Sequence, residues 1–214
     1  MKVKICGLTK SQQVKTCIDN GANFCGFILN FPKSHRYIKY KVADKLTKIK
    51  RKKTKFVGVL VKPTDKEFKQ FSKLNLDYFQ IYGSFSKEKL KEIKKKYKKK
   101  IIYTITVKTK KDIYKFKLFA DVADIILFDS SGYHKSLSWN FNWIKNIPII
   151  KMIAGNININ RLENISKFAD IVDVSGSLET NKVKDINKIK IFLKKIKKIN
   201  YENKKKYSLN WSTR

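Results

Sequence analysis

The sequence predicts a single (βα)8 barrel, the TIM-barrel architecture, and three observations carry that expectation. Apolar, β-branched runs alternate with helical patterns from one end of the chain to the other, without a succession of hairpins. Eight such strand–helix units fit within about 200 residues, more than the usual doubly wound sheets hold. The runs are near-continuous rather than alternating, as parallel strands covered on both faces require.

Val3–Thr9 reads as the first strand, broken by Gly7, and Lys10–Asn20 as a helix stopped at Asn20-Gly21. Phe24–Asn30 (FCGFILN) is the second strand, followed by a loop through Arg36 and a helix over Val42–Lys50. Phe56–Lys62 and Asp65–Leu74 form the third unit, Tyr78–Gly83 and Lys87–Lys98 the fourth, Ile101–Lys108 and Asp112–Ala120 the fifth. Asp124–Asp129 is the sixth strand, and a looser segment leads to Trp143–Asn146. Ile149–Gly155 and Asn160–Phe168 make the seventh unit, Ile171–Ser177 and Val183–Ile199 the eighth. The barrel is expected over 1–200, with 201–214 as a flexible basic tail.

Composition narrows the function classes. Of 214 residues 42 % are hydrophobic and 13 % aromatic, enough for a full core and too many for a disordered chain. No apolar run is long enough to span a bilayer, and MKVKICGLT lacks the apolar stretch of a signal peptide, so a cytoplasmic location is expected. Cys6, Cys17 and Cys25 are an odd number without CxxC spacing, which argues against a disulfide framework or a structural zinc. The net charge is +33, yet arginine occurs only at 36, 51, 161 and 214. The rest is lysine, spread over helical segments such as KEKLKEIKKKYKKK, in a chain also rich in Ile and Asn. Those residues share A/T-rich codons, so base composition and solvated helix faces account for the charge without a polyanionic partner.

A barrel places its chemistry at the C-terminal ends of its strands. Strand one ends in Cys6-Gly7, strand four in Tyr82-Gly83, strand six in Asp129-Ser130. Strands seven and eight end in Ala154-Gly155-Asn156 and Ser175-Gly176-Ser177. Small residues at these last two ends let backbone N–H groups approach an anion, which makes Gly155, Asn156, Gly176 and Ser177 the candidate phosphate cradle. A mid-strand cysteine is ordinarily a small buried hydrophobe, and Cys17 and Cys25 are read that way. Cys6 differs because it sits at the active end beside a glycine. As a thiolate it could take a proton from carbon, provided its pKa lies below the free value of about 8.5. Asp129 ends the apolar run IILFDS, where a carboxylate is costly unless it faces a polar cavity. A base and an acid on two strands of one barrel mouth suit an isomerisation.

The motifs themselves are familiar. Lys4-Ile5-Cys6-Gly7-Leu8-Thr9 resembles the opening signature of the phosphoribosylanthranilate isomerases. The likeness continues through Gly21–Ile28, Ser34-His35-Arg36-Tyr37-Ile38, Val57–Val61 and Gln80-Ile81-Tyr82-Gly83 to the closing block Val172–Glu179 with Lys184-Asp185. The resemblance implies an Amadori rearrangement of N-(5′-phosphoribosyl)anthranilate, an aminoaldose phosphate, to an aminoketose phosphate in tryptophan biosynthesis. It implies Asp129 as general acid to the furanose oxygen and Cys6 as base toward the C2′ proton. It also implies Arg36 as the fork for the anthranilate carboxylate and Asp173 as a pocket residue near the sugar. Neither a metal nor an organic cofactor is expected. The partner is the phosphosugar alone, with neither nucleic acid nor membrane, in a monomer or homodimer.

The chain departs from the family in places. Where relatives carry a glycine-rich stretch after strand six, this sequence has Ser131–Ser138, so Lys135, Ser136 or Ser138 are expected to substitute. A family His is Tyr82, a family Pro is His35, and a second glycine after strand seven is Asn156, which tolerates a left-handed backbone. His35 and His134 are read as loop residues. Two other readings compete. The histidine-pathway barrel isomerase runs the same chemistry, but it places aspartate where this chain has Cys6 and shows an internal repeat absent between 1–107 and 108–214. A lysine-rich polyanion-binding barrel has its best foothold in the tail YENKKKYSLNWSTR, yet lacks RNA-binding aromatic motifs.

Overall fold

Eight parallel strands close on themselves in chain order, β1 pairing with both β2 and β8, in a computed structural model that describes residues 1–130 and 139–209. The strands are β1 (Lys2–Cys6), β2 (Phe24–Ile28), β3 (Lys55–Val61), β4 (Tyr78–Tyr82), β5 (Lys100–Val107), β6 (Ile125–Ser130), β7 (Lys151–Ile153) and β8 (Ile171–Val174). Between them run α1 (Ser11–Asp19), α2 (Tyr40–Thr47), α3 (Asp65–Phe71), α4 (Lys87–Tyr97), α5 (Lys110–Ile113) and α6 (Leu162–Ile165), and α7 (Ile186–Leu209) closes the chain. The expected (βα)8 barrel is the observed one. Ser131–Ser138, with Lys135, Ser136, Ser138 and His134, lies outside the described residues, as do the last five of the tail.

Several helices are shorter than their patterns suggest. The expected helix over Asp112–Ala120 is one turn of α5 followed by a 3-10 turn, Tyr114–Leu118. Among the described residues, the connection between β6 and β7 holds only a 3-10 turn, Phe141–Ile144. In contrast, α7 runs past the expected end at Ile199 to Leu209, well into the segment expected as a tail. Tyr201–Lys205 is exposed and helical, continuing a run of good helix formers, and Lys198 pairs with Glu202 one turn on at 3.7 Å.

The strand period of two divides each strand between two compartments. Val3 and Ile5, Phe56 and Leu60, Ile126 and Phe128, and Val172 and Val174 point outward into the core shared with the helices. Phe24, Val57, Ile102, Ile125, Leu127, Met152 and Ile171 point inward and fill the lower barrel. The same alternation sends Lys4 and Cys6 inward from β1, Gln80 and Tyr82 from β4, Asp129 from β6 and Asp173 from β8.

At the opposite end a repeated device starts every second strand. The side chain just before an even-numbered strand accepts a hydrogen bond from the first free amide of its odd-numbered neighbour. Asn23 takes Val3 N–H at 2.9 Å, Asp77 takes Phe56 N–H at 2.8 Å, Asp124 takes Ile101 N–H at 2.8 Å, and Asp170 takes Lys151 N–H at 2.9 Å. Each pairs a backbone donor that the parallel ladder leaves over. Among the described residues no helix is long and apolar enough to cross a membrane.

Candidate active site

A cavity of about 570 Å³ opens at the C-terminal mouth of the barrel. Cys6, Arg36 and Asp129 line it together, with Tyr82, Thr106, Lys108, Ser130 and Ser175. Its size suits a substrate of a few fused or linked rings.

Asp129 is held on both oxygens. Tyr82 Oη donates to Oδ2 at 2.8 Å, and Ser130 N–H donates to Oδ1 at 2.8 Å. Gln80 Nε2 donates in turn to Tyr82 Oη at 3.2 Å, which orients the phenol toward the carboxylate. Burial raises the Asp129 carboxyl to about 6, against the pull of the Tyr82 bond, with the Asp173 charge adding to the rise. Burial, and then the Asp129 charge, lifts the Tyr82 phenol well above its ordinary value, so it is a permanent donor here.

Cys6 sits across the mouth at the end of β1. Beneath it Lys4, fully buried, donates to Asp173 Oδ2 at 2.7 Å, and the two stand in register on adjacent strands. Burial disfavours the Lys4 charge, but Asp173 and then Cys6 outweigh it and hold the ammonium above its usual value. Asp173 itself is pushed up by burial, with Lys4 opposing. For Cys6, burial raises the thiol above its ordinary value; Lys4 and Lys184 pull it down and Asp173 pushes it further up. The depressed thiol that the sequence argument required is therefore not met: desolvation outweighs the two lysines. Asp173 does not line the cavity; it lies below its floor, bound to Lys4.

Arg36 projects from the β2–α2 loop across Gly7. This glycine has φ +78°, and a side chain there would run into Arg36 Cδ, so Gly7 gives the guanidinium its path. Arg36 forks onto Glu179, Nε to Oε1 at 2.6 Å and Nη2 to Oε2 at 2.9 Å. His35 Nε2 lies 3.1 Å from Glu179 Oε2, and the buried Lys184 also pairs with Oε1. Burial alone would raise Glu179, yet Arg36 and Lys184 bring it down to about 2. Glu179 and Lys184 face each other on a short hairpin, β9 (Glu179–Thr180) and β10 (Val183–Lys184). Its turn residues Asn181 and Lys182 have φ of 50° and 63°. Two successive positive φ values are the signature of the tight hairpin turn.

Gly155, Asn156, Gly176 and Ser177 come together in two touching loops after β7 and β8. Gly155 and Asn156 are both left-handed, at φ 104° and 49°. Ser177 Oγ donates to Ile157 O at 2.6 Å, tying one loop to the other and committing its hydroxyl to a carbonyl. Ser175 Oγ donates to Cys6 O at 3.0 Å and accepts from Lys184 Nζ at 3.3 Å. None of the four lines the cavity, which ends at Ser175.

Sequence reasoning missed Lys4, Glu179 and Lys184 as members of the site. Lys4 alternates with Cys6 on one strand, so the period of two was a usable signal. Glu179 and Lys184 lie past the last barrel strand, in a hairpin that carries a lysine where its turn is left-handed, and no simple pattern marks it. Among the described residues no cluster of His, Cys, Asp and Glu is arranged to hold a metal.

A family model described as N-(5′-phosphoribosyl)anthranilate (PRA) isomerase matches residues 3–195. The N-(5′-phosphoribosyl)anthranilate isomerase of Streptococcus mutans is 34 % identical over 202 residues, covering 92 % of this chain and 99 % of that protein. Its counterpart in Thermoanaerobacter pseudethanolicus is 33 % identical over 210 residues, covering 93 % and 99 %. Among solved structures, the phosphoribosyl anthranilate isomerase of Thermotoga maritima has a TM-score of 0.82 at 25 % identity, covering 92 % of this chain and 98 % of that one. A phosphoribosyl anthranilate isomerase in complex with reduced 1-(o-carboxyphenylamino)-1-deoxyribulose 5-phosphate has a TM-score of 0.80 at 24 % identity, with the same coverage. By these matches along nearly its whole length, the chain belongs to the N-(5′-phosphoribosyl)anthranilate isomerase family, the aldose–ketose isomerases of tryptophan biosynthesis.

Proposed function

We propose that the cavity at the barrel mouth carries out the family's Amadori rearrangement with Asp129 as general acid and Cys6 as general base. Asp129, protonated, gives its proton to the furanose oxygen; the ring C–O bond breaks and the anilino nitrogen forms an iminium with C1′. Cys6, as the thiolate, then removes the C2′ proton. The C–H electrons form the C1′–C2′ double bond of an enolamine and neutralise the iminium nitrogen. Ketonisation of the C2′ hydroxyl and protonation at C1′ complete the aminoketose. The single observation that carries this division is that Cys6 on β1 and Asp129 on β6 line one cavity at the barrel mouth. Burial raises the Asp129 carboxyl to about 6, which brings its proton closer to neutral pH. Burial also holds the Cys6 thiol above its ordinary value against the pull of Lys4 and Lys184, so the base acts from a minor thiolate fraction.

Arg36 is proposed to receive the anthranilate carboxylate. The fork to Glu179 occupies Nε and Nη2 and fixes the guanidinium plane, so the remaining edge meets the carboxylate without reorientation. The left-handed pair Gly155-Asn156 and the turn at Gly176-Ser177 are proposed to hold the phosphate through backbone N–H groups, the Ser177 hydroxyl being committed elsewhere. Asp173 acts from below the floor through Lys4 rather than as a direct wall of the pocket.

The test is turnover of phosphoribosylanthranilate generated in situ, followed by the loss of anthranilate-type fluorescence. Cys6→Ser and Asp129→Asn should each lower kcat by about 10²–10⁴-fold with KM nearly constant, the range expected for an acid or a base. Near-full activity in either variant removes that residue from its role.

A further inference from the structure

We propose that Lys4 is a positioning residue of the reaction: held by Asp173 beside the sulfur of Cys6, it stays charged throughout and stabilises Cys6 as the thiolate. This rests on the reading of Cys6 as the base and deepens it.

The middle layer of a (βα)8 barrel is ordinarily filled by branched apolar side chains. Here it holds an ammonium and a carboxylate, Lys4 and Asp173, 2.7 Å apart and 0 % and 6 % exposed. As an element of stability such a pair is a poor choice, since desolvation of both charges offsets their attraction. It is also incompletely satisfied: Asp173 Oδ1 is buried without a hydrogen-bond partner among the described residues. A purely structural filler would be better apolar, so the pair calls for another account.

Its surroundings supply one. Lys4 and Cys6 point the same way from β1, two residues apart. Across from them β2 presents Gly26, whose missing side chain leaves the space both groups use. A Cβ there would lie 3.0 Å from Cys6 Sγ and 3.1 Å from both Lys4 Cε and Nζ. Ammonium and sulfur thus border one gap, and each charge acts on the other. Asp173 fixes the lysine head from β8, the strand on the other side of β1. Other charged or titratable groups also face the thiol. Lys184 approaches from β10 and Arg36 from the β2–α2 loop, and Tyr82 and Asp129 line the same cavity from β4 and β6. Burial is the largest influence against the anion, Lys4 the largest that favours it, and Asp173 the charge that opposes it. When the thiolate takes the C2′ proton it becomes a neutral thiol, and Lys4 keeps its proton and its bond to Asp173. No further proton acceptor is needed.

The opposite signs of Lys4 and Asp173 give a test that a structural role would not reproduce. The rate of Cys6 alkylation by iodoacetamide is measured against pH by peptide mass spectrometry. Cys17 and Cys25 are fully buried and serve as internal controls. Lys4→Met should move the midpoint of Cys6 alkylation up by about one pH unit or more, Asp173→Asn should move it down, and Lys4→Arg should leave it near that of the parent. In turnover, Lys4→Met should lower kcat about 10–100-fold with KM within threefold, and recover part of the loss at higher pH. The double variant Lys4→Met/Asp173→Asn leaves no orphaned charge, so it reports on the midpoint even if Lys4→Met alone fails to fold. Unchanged midpoints in the folded variants, or shifts of one sign for both substitutions, overturn the proposal. Cys6→Ser separates the two readings. If it stays active, the base assignment fails; if it is inactive while the midpoints stand still, only the role of Lys4 fails.

Discussion

Tyr82 Oη donates a 2.8 Å hydrogen bond to Asp129 Oδ2, from a position where the family resemblance has histidine. A donor of this kind favours the ionised carboxylate, so it opposes the burial that raises Asp129 to about 6. Tyr82→Phe removes that opposition. The acid should then keep its proton to higher pH, and the alkaline limb of kcat against pH should move up by about one unit. An unmoved limb would show that Tyr82 only fills space.

Asp129 should also cost stability where the enzyme works. Its folded value near 6 lies above the ordinary carboxyl value of about 3.9, so between those pH values the folded state binds more protons than the unfolded state. Stability therefore falls as pH rises from about 4 to 6, and the cost is complete above 6. Asp129→Asn should be more stable than the parent by about 1–2 kcal/mol at pH 7.5, the side chain being partly open to the cavity, and equal to it near pH 4. Paired thermal melts at the two pH values decide this.

Glu179 couples Arg36 to Lys184, and its loss should be felt in both binding and folding. Glu179→Gln frees the Arg36 fork, so KM should rise about tenfold with a smaller change in kcat. It also leaves the buried Lys184 without its counter-charge, at a cost of about 3 kcal/mol. The parent carboxylate, lowered to about 2, supplies stability above its unfolded value near 4.5 that is lost as pH falls toward 2. Denaturant titrations from pH 5 to 2 should show a shallower acid loss in the variant.

The amide caps at the far end of the barrel should affect stability alone. Asn23→Ala leaves Val3 N–H without its partner and should cost about 1–2 kcal/mol. Because the cap stands at the opposite end from the cavity, kcat and KM should be unchanged at a temperature where the variant is folded. A change in KM would mean that this end of the barrel communicates with the mouth.

What the sequence made legible follows from what it encodes locally. Periodicity and strand ends were enough to bring Cys6 and Asp129 to one mouth, because a closed barrel leaves its strand ends nowhere else to go. Strand boundaries were read too long where apolar residues continue into the loops, as at Ile149–Gly155 against the observed Lys151–Ile153. The short helices were over-read for a related reason: Asp112–Ala120 has a helical pattern but resolves into a 3-10 turn. The pairing of Asp173 with Lys4 was not foreseen, since a carboxylate's partner across strands depends on register, and register with Lys4 cannot be read from either segment alone. Whether the thiol of Cys6 is depressed was not legible at all, because desolvation is a property of the closed pocket and has no local signature.

The hairpin of Glu179–Lys184 has a consequence for how this enzyme can change. Glu179, onto which Arg36 forks, and Lys184, which shares that carboxylate, stand on a six-residue segment that takes no part in the barrel's own ladder. The Glu179 anchor that orients Arg36, the proposed receiver of the aromatic acid, therefore lies outside the barrel strands that carry Cys6 and Asp129. Altering turn length or the two left-handed positions, Asn181 and Lys182, would retune which acid Arg36 accepts while every strand keeps its neighbours. A directed library confined to the turn positions Asn181 and Lys182 would search substrate range while leaving the Glu179–Lys184 pair intact.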